Sequence, residues 1–224
     1  MTTSDYLNNF FLGYLPYVAV GVFFAGLIYR TIKRNNTIQA NSTQFLSKDK
    51  TLSIGNMLFH YAIILVFFGH IFGLLTPEWV YDWFMSNETK RLIAITMGSI
   101  TGIGALIGIT MLTIRRFTNI RVRATSKPQD YIIVLLLLIQ IILGLWCTYI
   151  TSQSSLAEYM SAEYWAQGVV LFKPNPWMFI TDLDIIYKLH IVNGFLIFII
   201  FPFTKLMHMI MVPVNFALDY FKKF

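Results

Sequence analysis

The sequence predicts an all-α, polytopic membrane protein: a single domain, 1–224, in which five transmembrane helices form one bundle. Composition is the first reason. Of 224 residues 56% are hydrophobic, 12% are charged and 20 are Phe, and the mean hydropathy is +0.62. Soluble domains carry about 25% charged residues. Spacing is the second reason. Five stretches reach the ~20 apolar residues that a helix needs to cross a bilayer core, and they are too long and too uniformly apolar for barrel strands.

The first stretch, 10–29, has no Lys or Arg before it and no small-residue cleavage site after it, so it is expected to stay as a helix and not to act as a signal peptide. The second, 54–75, contains His60 and His70. In the third, 92–114, Gly98 with Gly102 and Gly104 with Gly108 have the small-residue spacing of closely packed helices. The fourth, 131–151, holds the lone Cys147 beside Trp146; it has no disulfide partner in the chain and is expected to be inert filler. A long connection follows, 152–182, with Trp165, Pro174, Pro176 and Trp177; it either caps the bundle or lies as an interfacial belt. The fifth stretch, 185–212, carries His190 and His208 with Pro202 between them, where the missing N–H predicts a bend.

Cation placement orients the bundle. Arg30, Lys33, Arg34, Lys48 and Lys50 follow the first stretch, Arg115, Arg116, Arg121, Arg123 and Lys127 the third, and Lys205, Lys222 and Lys223 belong to the last end, so 13 of the 17 basic residues fall on one side. The positive-inside rule makes that side cytoplasmic. Asp5, Glu78, Asp82, Glu88, Glu158, Glu163, Asp182 and Asp184 fall on the other. The N-terminus is therefore expected outside and the C-terminus inside. The same topology accounts for the pI near 9.4, so no nucleic-acid partner is implied. No Gly-rich phosphate loop, zinc-type cluster or Ser-His-Asp arrangement is present, which removes dinucleotide and hydrolase chemistry.

The chain has four histidines, and all of them lie in the second and fifth stretches. Imidazole is costly in hydrocarbon unless something binds it, and two pairs on two antiparallel helices suit axial ligation of two haems. The antiparallel course pairs His60 with His208 and His70 with His190. Because C-x-x-C-H is absent, any haem would be b-type, without thioether bonds. The rises disagree: ten residues span about 15 Å and eighteen about 27 Å, at roughly 1.5 Å per residue. Helix tilt, slanted porphyrin planes and a bend at Pro202 are the candidates for absorbing the difference of about 12 Å. Packing histidines are one alternative. A proton relay is another, although the central stretches lack the carboxylates it would bring. Gly69, Gly73 and Gly194 lie near the proposed ligands and suit either a flat macrocycle or close helix packing, while Met207 and Met209, flanking His208, face elsewhere and read as filler.

Several strings carry a family likeness: Asn56-Met57-Leu58-Phe59-His60, Gly69-His70-Ile71-Phe72-Gly73-Leu74-Leu75-Thr76-Pro77, Tyr187-Lys188-Leu189-His190 and Pro202-Phe203-Thr204-Lys205-Leu206-Met207-His208. With the number and direction of spans, they resemble the gamma subunit of membrane-bound respiratory nitrate reductase, a dihaem cytochrome b. The resemblance implies that His60, His208, His70 and His190 bind two haem b irons. It also implies that the chain oxidises menaquinol or ubiquinol near the outer face of a prokaryotic plasma membrane, and that electrons pass to a cytoplasmic iron-sulfur subunit and a molybdenum catalytic subunit that reduces nitrate. Lys90 takes the place of the family's quinol-site lysine, with an interfacial snorkelling lysine as its alternative. Gly69 would leave room for the quinol ring. Arg116 takes the place of the arginine serving the inner haem's propionates, with a simple positive-inside marker as its alternative. Lys205 stands where relatives often have Arg, which puts a bidentate contact there in doubt. Two other functions fit part of this pattern: the cytochrome b anchor of another quinone-linked complex (formate dehydrogenase, hydrogenase or heterodisulfide reductase type), and a haem-free transporter.

Overall fold

The computed structural model describes residues 3–34 and 49–211, and within them five helical segments are long and apolar enough to cross a membrane. The predicted end of the fifth stretch at Val212, the loop cation Lys48 and the tail cations Lys222 and Lys223 lie outside the described residues. Helix α1 (Thr3–Asn8) runs through a π-helical turn, Asn9–Tyr14, into α2 (Leu15–Arg34). Pro16 explains the wide turn. A proline ring presses on the carbonyl four residues back and offers no N–H, and a π turn absorbs both defects.

Helix α3 (Lys50–Leu74) begins at Asp49, whose carboxylate accepts from Thr51 N at 3.0 Å and Leu52 N at 3.3 Å. Pro77 then stops helical growth and starts the short α4 (Glu78–Tyr81). Next comes α5 (Asn87–Thr118), capped by Ser86, with Arg115 and Arg116 in its last turn where cations suit the helix dipole. Helix α6 (Ile120–Thr125) starts from the Asn119 side chain, and α7 (Pro128–Gln153) has Pro at its first position and Asp130 reaching back to Lys127 N at 3.1 Å. The long connection folds into α8 (Leu156–Val170) and a 3-10 turn, Pro176–Ile180, before α9 (Ile185–Ile200).

Expected and observed ends differ in one direction. Helices begin at Thr3, Lys50, Asn87 and Pro128, each several residues ahead of the apolar runs. Hydropathy marks the hydrocarbon crossing, whereas the helix continues to its cap because its backbone groups still need partners. The fifth span is the exception. Its helix stops at Ile200, and Phe201–Phe203 and Lys205–Met207 follow as 3-10 turns. The bend expected at Pro202 is thus a complete break of the α-helix, and it is seated closely: a Cβ on Gly26 would lie 2.7 Å from Pro202 Cβ.

The spans pack in an arc, α2 beside α9, α9 beside α7, α7 beside α5 and α5 beside α3. Helices α3 and α9 are not among the closely packed pairs. The glycines of α5 serve two sides: Gly104 and Gly108 meet α3, with a Gly108 Cβ falling 2.6 Å from Phe59 N, while Gly98 and Gly102 meet Thr148 and Leu145 of α7. Phe59, Ala62, Ala105, Ile109, Val134 and Ile141 form the core of this half. Exposed apolar side chains such as Leu92, Ile100 and Ile107 line the outside, as lipid contact requires.

Asp49 joins two spans, because Arg115 Nε donates to its Oδ2 at 2.7 Å. That hydrogen bond, helped by the cap, holds the Asp49 carboxyl below its ordinary value. A carboxylate with a lowered folded pKa adds stability above its ordinary titration range and loses it as pH falls toward the folded value. Asp49→Asn is therefore expected to lower the unfolding temperature at neutral pH, with the difference from the parent shrinking under acid. Thermal melts from pH 7 down to pH 3 check this.

Candidate functional site

Both histidine pairs meet across the gap between α3 and the α9 segment. The ring centres of His60 and His208 are 6.0 Å apart and those of His70 and His190 are 6.1 Å apart. The break at Pro202 makes the first pairing possible. It ends the straight run from His190 and redirects the chain, so that His208 arrives opposite His60 despite the unequal rises. Met207, beside it, is buried with Phe201 and Met211 and faces away, as filler does.

Each ring has one nitrogen bonded to the protein and one without a partner. Nδ1 of His60 donates to Asn56 O at 2.8 Å, Nδ1 of His70 to Val66 O at 2.8 Å, and Nδ1 of His208 to Lys205 O. Their Nε2 atoms remain for a ligand. His190 reverses the pattern: the Gln140 amide donates to its Nε2 at 3.3 Å, and its buried Nδ1 has no hydrogen-bond partner. Gln140 is held in turn by Asn193, whose Nδ2 donates to Gln140 Oε1 at 2.7 Å and to Leu136 O at 3.1 Å. Gly144 makes room for the His190 ring, since a Cβ there would lie 3.0 Å from His190 Cε1.

A metal bound to two imidazole nitrogens at about 2 Å each places the ring centres roughly 6 Å apart. The observed separations, a free nitrogen on every ring, and an orphaned buried nitrogen on His190 all fit a haem at each pair. Gly69 and Gly73 fit as well, because a Cβ on either would meet nothing within 4 Å, leaving the face of α3 beside His70 open. Gly194 does not share that role. It faces Gln140, whose Nε2 would be 3.2 Å from a Cβ.

Lys90 is buried, which replaces the snorkelling alternative with a defined partner. Its Nζ lies 2.8 Å from Glu163 Oε2 and 4.0 Å above the Tyr81 ring, and donates to Thr76 O at 3.5 Å. Glu163 comes from α8, so the long connection folds into a helix that packs against α3 and α5. Trp165 and Trp177 are buried with Leu12, Ile180 and Leu183, and Gln167 Nε2 donates to Leu74 O and Thr76 O at the end of α3.

At the opposite end, Arg116 Nη1 donates to Ser126 Oγ at 3.0 Å and stands 3.7 Å from Asp130 Oδ2. Lys205 Nζ lies 2.8 Å from the same buried carboxylate oxygen. Arg116 and Lys205 thus share Asp130 as one anchor, and Lys205 lies three residues before His208. The residues that sequence reading missed are Glu163, Gln140, Asn193 and Asp130. Asn193 had a signal, lying three residues after His190 on the same helical face.

These features define an all-helical, multi-pass membrane protein in which the second and fifth spans, with the segment after the fifth, hold two opposed histidine pairs, one toward each end. Comparison with known proteins then supplies the family. Residues 8–223 match the family model of the nitrate reductase gamma subunit. The chain is 41% identical over 213 residues to the respiratory nitrate reductase 2 gamma chain of Escherichia coli (strain K12), covering 95% of this chain and 94% of that one. Identity is 34% over 206 residues to the nitrate reductase gamma chain of Bacillus subtilis (strain 168), covering 91% and 92%. It is 23% over 191 residues to an Hdr-like menaquinol oxidoreductase cytochrome b-like subunit of Archaeoglobus profundus, covering 84% and 56%. The chain belongs to the nitrate reductase gamma subunit family.

Proposed function

We propose that this chain is the dihaem cytochrome b anchor of a nitrate reductase, oxidising quinol near the outer face of the plasma membrane and sending electrons inward. The observation that carries this reading is the pair of facing imidazole sets, 6.0 and 6.1 Å between ring centres, each ring keeping one nitrogen free. Orientation follows from charge: Lys50, Arg115, Arg116, Arg121, Arg123, Lys127 and Lys205 belong to the His60 end, which becomes the cytoplasmic side. His70 and His190 are then the outer pair.

Bound between these imidazoles, two b haems supply one-electron transfer across the membrane. The chain's residues do the rest. Lys90 holds a quinol oxygen beside the outer pair, and Gly69 leaves space for the ring on the open face of α3. Helix α8 excludes water from above. At the inner end Arg116 and Lys205 offer positive charge to haem propionates, with Asp130 fixing where that charge sits. The cytoplasmic partners are an iron-sulfur subunit and a molybdenum subunit that reduces nitrate, docked on the cationic inner face. Each electron moved inward stores about 2.3 kcal/mol per 100 mV.

The similarity to the archaeal menaquinol oxidoreductase subunit supports quinol as the donor, and it also keeps in view an anchor for a different soluble partner. Isolation of the complex from native membranes decides between them. The expected result is co-isolation of iron-sulfur and molybdenum subunits, with both haems reduced by a quinol analogue. Thiol-disulfide-reducing partners in place of a molybdenum subunit would overturn the nitrate assignment.

A further inference from the structure

The Lys90–Glu163 pair does more than hold the cap. Glu163 is fully buried, its Oε2 takes the Lys90 hydrogen bond at 2.8 Å, and its Oε1 has no hydrogen-bond partner. A buried carboxylate with an unsatisfied oxygen is expensive to keep. Nothing in the packing of α8 demands one, because the helix already docks through Trp165 and Gln167. An acidic group hydrogen-bonded to the lysine proposed to hold quinol has a chemical use: quinol oxidation must dispose of protons on this side.

We propose that Glu163 is a proton-relay residue that acts through Lys90. The inference rests on the quinol-oxidising reading above. Along the 2.8 Å contact the ammonium passes a proton to the carboxylate, leaving Lys90 a neutral amine and Glu163 a neutral acid. One O–H bond of the quinol then breaks, its proton binding Lys90 Nζ, while an electron leaves for the oxidant, the outer b-type haem. The pair is left with one extra proton, which Glu163 releases outward. A second round removes the other proton and electron.

Charged and titratable groups surround the pair. Tyr81 on α4 and Tyr164 on α8 both feel Glu163 and the exposed Glu78: burial first, then the negative charges of both glutamates, raise each phenol, Tyr81 to about 12. Tyr81 Oη donates to Asn87 Oδ1 at 2.8 Å, and Asn87 Nδ2 donates to Glu78 Oε1 at 2.6 Å, a run of hydrogen bonds that ends on an exposed carboxylate. Tyr159, on the other flank, is raised by burial and by Glu163. Asp82 adds negative charge near Tyr81, and Arg91 adds positive charge near Tyr159, though its guanidinium is tied to Thr151 O and Ser154 O.

The test compares Glu163→Gln and Glu163→Asp in the assembled membrane complex, with a reduced naphthoquinol analogue as donor. Haem content and reduction by dithionite establish that each variant is built. Glu163→Gln is expected to keep both haems and lose about 100-fold in kcat for quinol oxidation, in the range of a lost acid–base group. The limb of its pH–rate profile that reports the carboxylate should vanish, and Glu163→Asp should restore part of the rate with a displaced limb. A parental rate and pH profile in Glu163→Gln, or a rise in KM with kcat and profile unchanged, would overturn the relay and leave a purely structural pair. If Glu163→Gln does not assemble, Glu163→Asp decides: a parental profile there overturns the proposal. If the parent complex itself shows no quinol-dependent haem reduction, the quinol reading falls, and the relay with it.

Discussion

Replacing His70 or His190 with Ala is expected to halve the b-type haem of the complex and to abolish its reduction by quinol. Each ring is proposed as one of two protein ligands, and the two stand opposite each other with ring centres 6.1 Å apart. Neither lost imidazole has a substitute nearby. The remaining pair is built from separate residues at the other end of the spans, so one haem should persist and still be reducible by dithionite. His60→Ala or His208→Ala should give the complementary result: an outer haem that quinol reduces but whose electrons no longer reach the cytoplasmic subunits. Reduced-minus-oxidised spectra of the four variants, with quinol and then dithionite, check this. Loss of the same haem from His60→Ala and His70→Ala would mean that the pairing is wrong.

Lys90→Met should have the second largest effect, in two separable ways. Removing the ammonium strips Glu163 of the hydrogen bond to its Oε2, leaving a fully buried carboxylate without compensation. Such a loss costs about 3–5 kcal/mol. It also removes the group proposed to hold the quinol oxygen, so quinol oxidation is expected to fall by about 100-fold or more. The double variant Lys90→Met with Glu163→Gln separates the effects. Without the stranded charge, stability should return to near the parental value, while quinol oxidation stays lost. Thermal melts and quinol-driven haem reduction on the single and double variants provide the comparison. Recovery of activity in the double variant would remove Lys90 from the quinol site.

Much of this architecture is legible in the sequence because the membrane simplifies the physics. Backbone groups in hydrocarbon must be satisfied within the helix, so apolar length alone locates spans. Antiparallel succession then fixes which histidine faces which, and His60 with His208 and His70 with His190 are the pairs that meet. The unequal rises looked like an obstacle, yet Pro202 already held the answer: the helix ends at Ile200, and the chain takes a new course into His208.

What stayed hidden was tertiary. Glu163 lies 73 residues from Lys90 in sequence, in a connection whose mixed composition gave no sign that α8 would fold back over α3 and α5. Asp130 lies in the first turn of α7, and its role as shared partner of Arg116 and Lys205 depends on contacts across three segments. Gln140 had no sequence neighbour to reveal that it would meet His190. Helix ends were displaced for a local reason, since caps such as Asp49 and Ser86 set them and hydropathy does not.

The proposed electron path needs a b haem held by each imidazole pair. Pyridine haemochrome quantification on the purified complex, set against protein concentration, measures it directly. Two b haems for each copy of this chain are expected. A ratio of one, or a preparation without haem absorbance, would contradict the proposed path.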